Sequence, residues 1–170
     1  MSTSFDPAKN DSTTIRNHLL PGDMGSIVYL HGILYAKEYG FDHTFEAYVA
    51  KPLAEFIDSR ADGQRIWLVE KEGKIEGSAA VVRYTQHEAQ LRWLLLHPDI
   101  RGHGIGKHMV EEAVKFCREE RYESIFLWTV STLKAAAALY KSAGFKMTAE
   151  NRIKTWGTLV TEERYDLVLK

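Results

Sequence analysis

The sequence predicts an α/β layered domain on a mixed sheet, and three observations predict it. Apolar residues recur at helical spacing in four stretches, and β-branched and aromatic residues fill the short runs between them. The order is strand, two helices, three strands, helix, strand, helix, two strands, which is not a strict βαβ alternation. The chain has 170 residues, 45% hydrophobic and 26% charged, ordinary values for about one globular domain with a real core.

Residues 1–12 are polar and read as a flexible N-terminal segment, leaving 13–170 as one domain. Thr13 to Leu20 reads as a first strand closed by Pro21-Gly22. Asp23 then reads as a helix N-cap, with Ile27, Leu30, Leu34 and Glu38 on one helical face and an end at Tyr39-Gly40. A second helix runs from about Asp42 to Arg60, and Ala61-Asp62-Gly63 breaks it. Ile66–Val69 and Ile75–Tyr84 flank a Lys71-Glu72-Gly73-Lys74 turn and read as a hairpin. Gln90 to Leu96 is largely apolar on consecutive positions, as a strand covered on both faces would be.

In the second half, Ile105, Met109, Val110, Ala113, Val114 and Cys117 make one apolar helix face. Ser124–Val130 reads as a strand and Leu133–Ala143 as an alanine-rich helix, with Gly144 where a C-terminal glycine belongs. Phe145–Ile153 and Arg164–Leu169 read as closing strands, and the last could pair with a second chain to form a homodimer.

Composition excludes several function classes. Lys and Arg total 22 against 23 for Asp and Glu, so there is no basic excess to support nucleic-acid binding. The one cysteine, Cys117, suits a reducing cytosol and falls on an apolar helix face, where it reads as core. No apolar run approaches the ~20 residues of a membrane span and no signal core opens the chain, so a cytoplasmic location is expected. Asn10-Asp11-Ser12 matches the glycosylation pattern, but nothing else looks secreted. His103 and His108 have no carboxylate or cysteine beside them, and no metal site is expected.

The chemistry starts at HPDIRGHGIGKHM, residues 97–109, where glycines alternate between an apolar run and an amphipathic one. A dinucleotide loop would need its third glycine where Lys107 stands, and a triphosphate loop would need Ser or Thr where His108 stands. A strand turning through glycines into a helix still aims free N–H groups and a helix dipole at one point, which is an anion site. A tight strand-to-helix turn with no ligand is the alternative.

Arg101-Gly102-His103-Gly104-Ile105-Gly106 resembles the Q/R-x-x-G-x-G/A signature of the GNAT superfamily of acyl-CoA N-acetyltransferases. Ala136, Leu139-Tyr140 and Gly144-Phe145 resemble that family's A-x-x-L-Y-x-x-x-G-F run, at the right separation. More narrowly, LRWLLLHPDIRGHGIG, FLWT and the WG before VTEERYDL look similar to the acetyltransferase half of bacterial fusion proteins. In those proteins a winged-helix regulator precedes the acetyltransferase; no regulator is expected here.

The resemblance implies a central, twisted, mostly antiparallel mixed sheet of about seven strands flanked by about four helices. It implies that the backbone of Gly102, His103, Gly104, Ile105, Gly106 and Lys107 binds the coenzyme A pyrophosphate, with Arg101 and Lys107 neutralising charge. Leu94, Leu95 and Leu96 would pair by backbone with the pantetheine arm. Tyr140 would protonate the coenzyme thiolate, direct transfer with no acyl-enzyme being expected. Acetyl-CoA is then the cosubstrate and a primary amine the acceptor, on a small molecule, an amino-acid-like metabolite or a peptide, with no nucleic acid and no membrane.

Two positions depart from that pattern. Leu133 stands where many relatives carry a pantetheine-binding Asn, and Trp128 stands near where some carry a catalytic Glu. The general base is therefore open, with Glu88, His87 and Glu38 as candidates. Tyr35 to Phe41, with Tyr35, Glu38 and Tyr39, is the candidate acceptor loop, the alternative being an aromatic-capped helix corner. Trp128 is a candidate cleft residue, while Trp67, Trp93 and Trp156 read as core. A non-catalytic acyl-CoA-binding sensor or interaction module is the competing function.

Overall fold

The computed structural model describes residues 12–170; the flexible segment expected at 1–12 and the glycosylation match lie outside them, Ser12 apart. The elements are β1 (Thr13–Arg16), α1 (Asp23–Tyr39), α2 (Thr44–Ser59), β2 (Arg65–Lys71), β3 (Lys74–Arg83), β4 (Glu88–Leu96), α3 (Ile105–Glu119), β5 (Ser124–Val130), α4 (Lys134–Ser142), β6 (Lys146–Thr155) and β7 (Thr158–Val168). A short 3-10 turn, Pro98–Ile100, links β4 to the glycines. The element order is the expected one.

One seven-stranded sheet runs in the order β1-β2-β3-β4-β5-β7-β6. Every pairing is antiparallel except β4 with β5. Helices cover both faces. The apolar stripe of α3 (Ile105, Met109, Val110, Ala113, Val114 and Cys117) packs with Tyr140 of α4 on one face. Ile27 of α1 and Phe45, Val49 and Leu53 of α2 cover the other. Each fully buried aliphatic side chain is worth about 1.5–3 kcal/mol, so the two stripes anchor the layers.

Two hairpins are tight because their turn residues accept left-handed backbone. Glu72 and Gly73 have φ of 51° and 76°, and Trp156 and Gly157 have 50° and 79°. Paired positive φ values match the right-handed twist of antiparallel strands. The second hairpin begins β7 at Thr158 rather than Arg164, so the closing strand is longer than expected.

Three expectations are corrected here. β7 is not free to pair with a second chain, because it lies between β5 and β6; β1 and β6 are the edges. Asp23 is the first residue of α1 and not its cap: Gly22, at φ 94°, takes that place. The Asp23 carboxylate instead receives both Arg16 guanidinium nitrogens, at 2.6 and 2.7 Å, and the Leu20 N–H. β1 ends at Arg16 rather than Leu20, since that side chain turns inward to Asp23 and Glu70.

Candidate active site

The site exists because β4 and β5 separate. They pair only over Glu88–Gln90 and Ser124–Phe126. Beyond that, β4 carries a bulge: Ser78 pairs with Leu95 and Ala80 with Arg92, so Trp93 and Leu94 share the space opposite Ala79. Trp93 has φ 51°, a costly backbone for an aromatic residue. The buried Ser78 hydroxyl donates 2.7 Å to the Trp93 carbonyl and satisfies what the bulge leaves unpaired. The bulge also changes which face each side chain takes. Leu91, Leu94 and Leu96 pack toward α3, whereas Trp93 and Leu95 pack toward α1 and α2.

A groove of about 550 Å³ opens on the α3–α4 side of this split. Leu94, Leu95 and Leu96 form one wall, and among the described residues no strand pairs with their β5-facing edge. The glycines at its end have separate reasons. Gly102 and Gly104 turn the chain at φ 81° and 80°, and Gly104 is the N-cap of α3. Gly106 is helical; a Cβ there would sit 3.3 Å from Leu139 and 3.5 Å from Leu96, so its bareness lets α3 approach α4 and β4. Gly102, Gly104, Ile105, Gly106 and Lys107 line the groove, but the exposed His103 side chain does not. Lys107 lies 3.9 Å from Glu111 on the helix surface.

Arg101 lines the groove with its charge engaged. Its Nε donates 2.8 Å to the Leu96 carbonyl, and its other nitrogens donate 2.6 and 3.0 Å to the two Glu38 oxygens. The fork ties the glycine loop to the end of α1, and Arg101 holds Glu38 below the ordinary carboxylate range. Glu38 and Tyr39 therefore line the groove.

A smaller cleft of about 100 Å³ lies on the other side. It shares Tyr35, Leu94 and Leu133 with the groove, so the two spaces meet there. Tyr140 lines the cleft from α4. Its position is set by the helix end: Phe145 N–H bonds back to the Tyr140 carbonyl and Gly144 N–H to Lys141, at φ 97° for Gly144. Burial raises the phenols of Tyr140 and Tyr35 above the ordinary range, so both stay protonated.

The rest of the cleft is aromatic and charged. Tyr35, Phe41, Phe45 and Tyr48 touch ring to ring in succession from the α1–α2 corner, and Trp156 packs on the last three. The corner holds the β6–β7 turn through Asp42 N–H to the Trp156 carbonyl, 2.9 Å. Trp128 lines the cleft, as expected, at 39% exposure. Trp156 does too, against the expectation of a plain core residue.

Glu88 and His87 are not in this cleft. Glu88 sits at the closed end of β4, receiving Ser124 Oγ at 3.2 Å with Arg164 at 3.6 Å. His87 faces Glu123 at 3.5 Å. The ionisable groups that do line the cleft are Glu162, His31 and Arg92. Burial raises the Glu162 carboxyl, and burial lowers His31 to about 4 against the pull of its bond to the Ile27 carbonyl. Glu162 was hidden in a charged run and His31 in a helix. Arg92 was the one legible signal, a lone cation inside LRWLLL.

Among the described residues no cluster of His, Cys, Asp or Glu could hold a metal, and no helix is long and apolar enough to cross a membrane. Residues 29–145 match the acetyltransferase (GNAT) family. Human N-acetyltransferase 8B is 30% identical over 103 residues, 58% of this chain and 45% of that protein. An uncharacterized N-acetyltransferase of Schizosaccharomyces pombe is 32% identical over 117 residues, 67% of this chain and 71% of that protein. The chain thus spans under half the length of the human relative. The structure of yncA from Salmonella typhimurium, a putative acetyltransferase with its cofactor acetyl-CoA, shares the fold with a TM-score of 0.74 at 18% identity, over 94% of this chain and 95% of that one. Sheet order, glycine loop and sequence match agree: the chain belongs to the acetyltransferase (GNAT) family.

Proposed function

We propose that the protein is an acetyl-CoA-dependent N-acetyltransferase that passes acetyl directly to a primary amine on an acceptor molecule. The observation that carries this is the meeting of the groove and the aromatic cleft at Tyr35, Leu94 and Leu133, with the Tyr140 phenol beside it. The residues present fit the cosubstrate. The open backbone edge of Leu94–Leu96 can take an extended arm as an added strand. The first turn of α3, entered through Gly102 and Gly104, offers N–H groups to a pyrophosphate. Acetyl-CoA supplies an activated acyl carbon and a thiol leaving group.

The residues of the cleft then manage two protons. Glu162, kept basic by burial, takes one from the incoming ammonium. The freed nitrogen forms the new N–C bond as the C–S bond breaks. Tyr140 gives its phenolic proton to the departing sulfur, for which burial keeps it protonated, and is restored by the second proton that the nitrogen sheds on becoming an amide. Cys117 takes no part: burial pushes its thiol up to about 12, which supports direct transfer over an acyl-enzyme.

Free-thiol release on mixing acetyl-CoA with a panel of primary amines tests the proposal. Amine-dependent release with a stoichiometric N-acetyl product is the expected result. Tight acetyl-CoA binding with no release on any amine would replace it with an acyl-CoA-binding module.

A further inference from the structure

From the unpaired guanidinium of Arg92 facing the unpaired carboxylate of Glu162 across one aromatic cleft, we infer that the acceptor is an amino-carboxylate, its carboxylate held by Arg92. The inference rests on the acetyltransferase reading and adds the chemical class of its acceptor.

The bulge in β4 places Arg92. Arg92 and Trp93 are consecutive, yet both reach the α1–α2 face. The Arg92 guanidinium carbon lies 5.1 Å from the Trp93 ring centre and 6.0 Å from that of Tyr48. Aromatic contact covers the faces of a guanidinium and leaves its N–H donors at the edges, where a carboxylate binds in a fork. Among the described residues nothing accepts a hydrogen bond from those donors, and the Glu55 carboxylate acts on Arg92 only through space. Arg16, Arg101 and Arg164, by contrast, are each forked onto a carboxylate. A half-buried cation without an acceptor is costly, and a bound anion relieves that cost.

The opposite wall carries the complementary charge. Glu162 sits on β7 across from Val130 of β5, beyond the split between β4 and β5. It forms no ion pair among the described residues, and it does not reach Arg92 (no bond joins them). The Tyr48 phenol feels both charges. An amino-carboxylate satisfies both walls at once, with its nitrogen toward Glu162 and its carboxylate toward Arg92. A polyamine or simple alkylamine would leave Arg92 unpaired beside a second cation. The cleft, about 100 Å³, suits a free small molecule rather than a peptide segment.

The test compares matched acceptors: amino acids, each beside its carboxamide and its decarboxylated amine. In the wild-type protein kcat/KM should favour the carboxylate form by about tenfold or more, the usual worth of a charge-assisted fork. Arg92→Gln should shrink that preference to within about twofold, and Arg92→Lys should retain part of it. Equal or better use of the carboxamide or amine by the wild type, or an unchanged preference in Arg92→Gln, would overturn the inference. Calorimetric binding of the same compounds to the coenzyme A-loaded wild type reads the preference without turnover. Carboxylate-selective binding with no thiol release on any amine would remove the enzyme and keep this site. Turnover without carboxylate preference would do the reverse.

Discussion

The hydroxyl of Ser78 and the carbonyl of Trp93 are joined by a buried 2.7 Å hydrogen bond across the β4 bulge. Trp93 occupies left-handed backbone within a strand, and its carbonyl has left the ladder. Removing the donor strands a buried acceptor, which costs about 1–3 kcal/mol. Ser78→Ala should lower unfolding free energy by that amount in denaturant titration. Wild-type stability in that variant would mean the bulge holds without Ser78.

Tyr140 should act late and only on chemistry. Tyr140→Phe keeps the ring packing against Phe145 and Tyr165 but removes the proton donor. Turnover should fall by about 10²-fold, within the usual range for general acid catalysis, with acetyl-CoA affinity almost unchanged. Full activity in Tyr140→Phe would refute the assignment.

Glu162 should set the acid limb of the pH profile. Its pKa is raised by burial, so activity should fall as pH drops through that raised value and the base is protonated. Glu162→Gln should lose that limb and most of kcat. A carboxyl raised in the folded state favours folding when protonated, and its contribution is lost as pH rises through the folded value. The amide mimics the protonated form, so neutral-pH stability should not decline in the variant.

The Glu38–Arg101 fork should matter for cosubstrate binding rather than chemistry. Glu38→Gln loosens the tie between α1 and the glycine loop. The dissociation constant for acetyl-CoA should rise about two- to fivefold, the scale of a partly exposed ion pair, with kcat preserved. Equilibrium titration of the variant measures it, and an unchanged constant would show the loop is held without Glu38.

Asp23 should govern acid stability at the other end of the sheet. Its carboxyl is lowered first by the Arg16 hydrogen bond. That contribution is complete above the ordinary aspartate value and is lost as pH falls through the lowered folded one. Asp23→Asn should cost about 3 kcal/mol near neutrality, toward the low end for a broken buried pair because Arg16 keeps Glu70. The difference from wild type should narrow in denaturation curves run progressively below pH 4.

Element order, the α3 stripe, the first hairpin and the glycine turn were legible because each is a local pattern of spacing, propensity or φ. Gly144 was legible for the same reason, since a helix end asks for a left-handed residue there. The edge of the sheet was not, because strand neighbours depend on pairings remote in sequence. Asp23 read as a cap because capping is its commonest local use, while Arg16 competes for it only once β1 is paired.

The candidate site divides along the same line. The sequence by itself determined the groove: Leu94–Leu96, Gly102, Gly104 and Gly106 lie on one short stretch from β4 into α3 and are marked by residue type. Only the tertiary structure decided the cleft, because Arg92, His31, Trp156 and Glu162 come from β4, α1, the β6–β7 turn and β7. It also removed Glu88 and His87, which share a strand or loop with the site but lie at its closed end. Charge and residue type are properties of a sequence; whether a charge is dry, unpaired and opposite another is a property of packing.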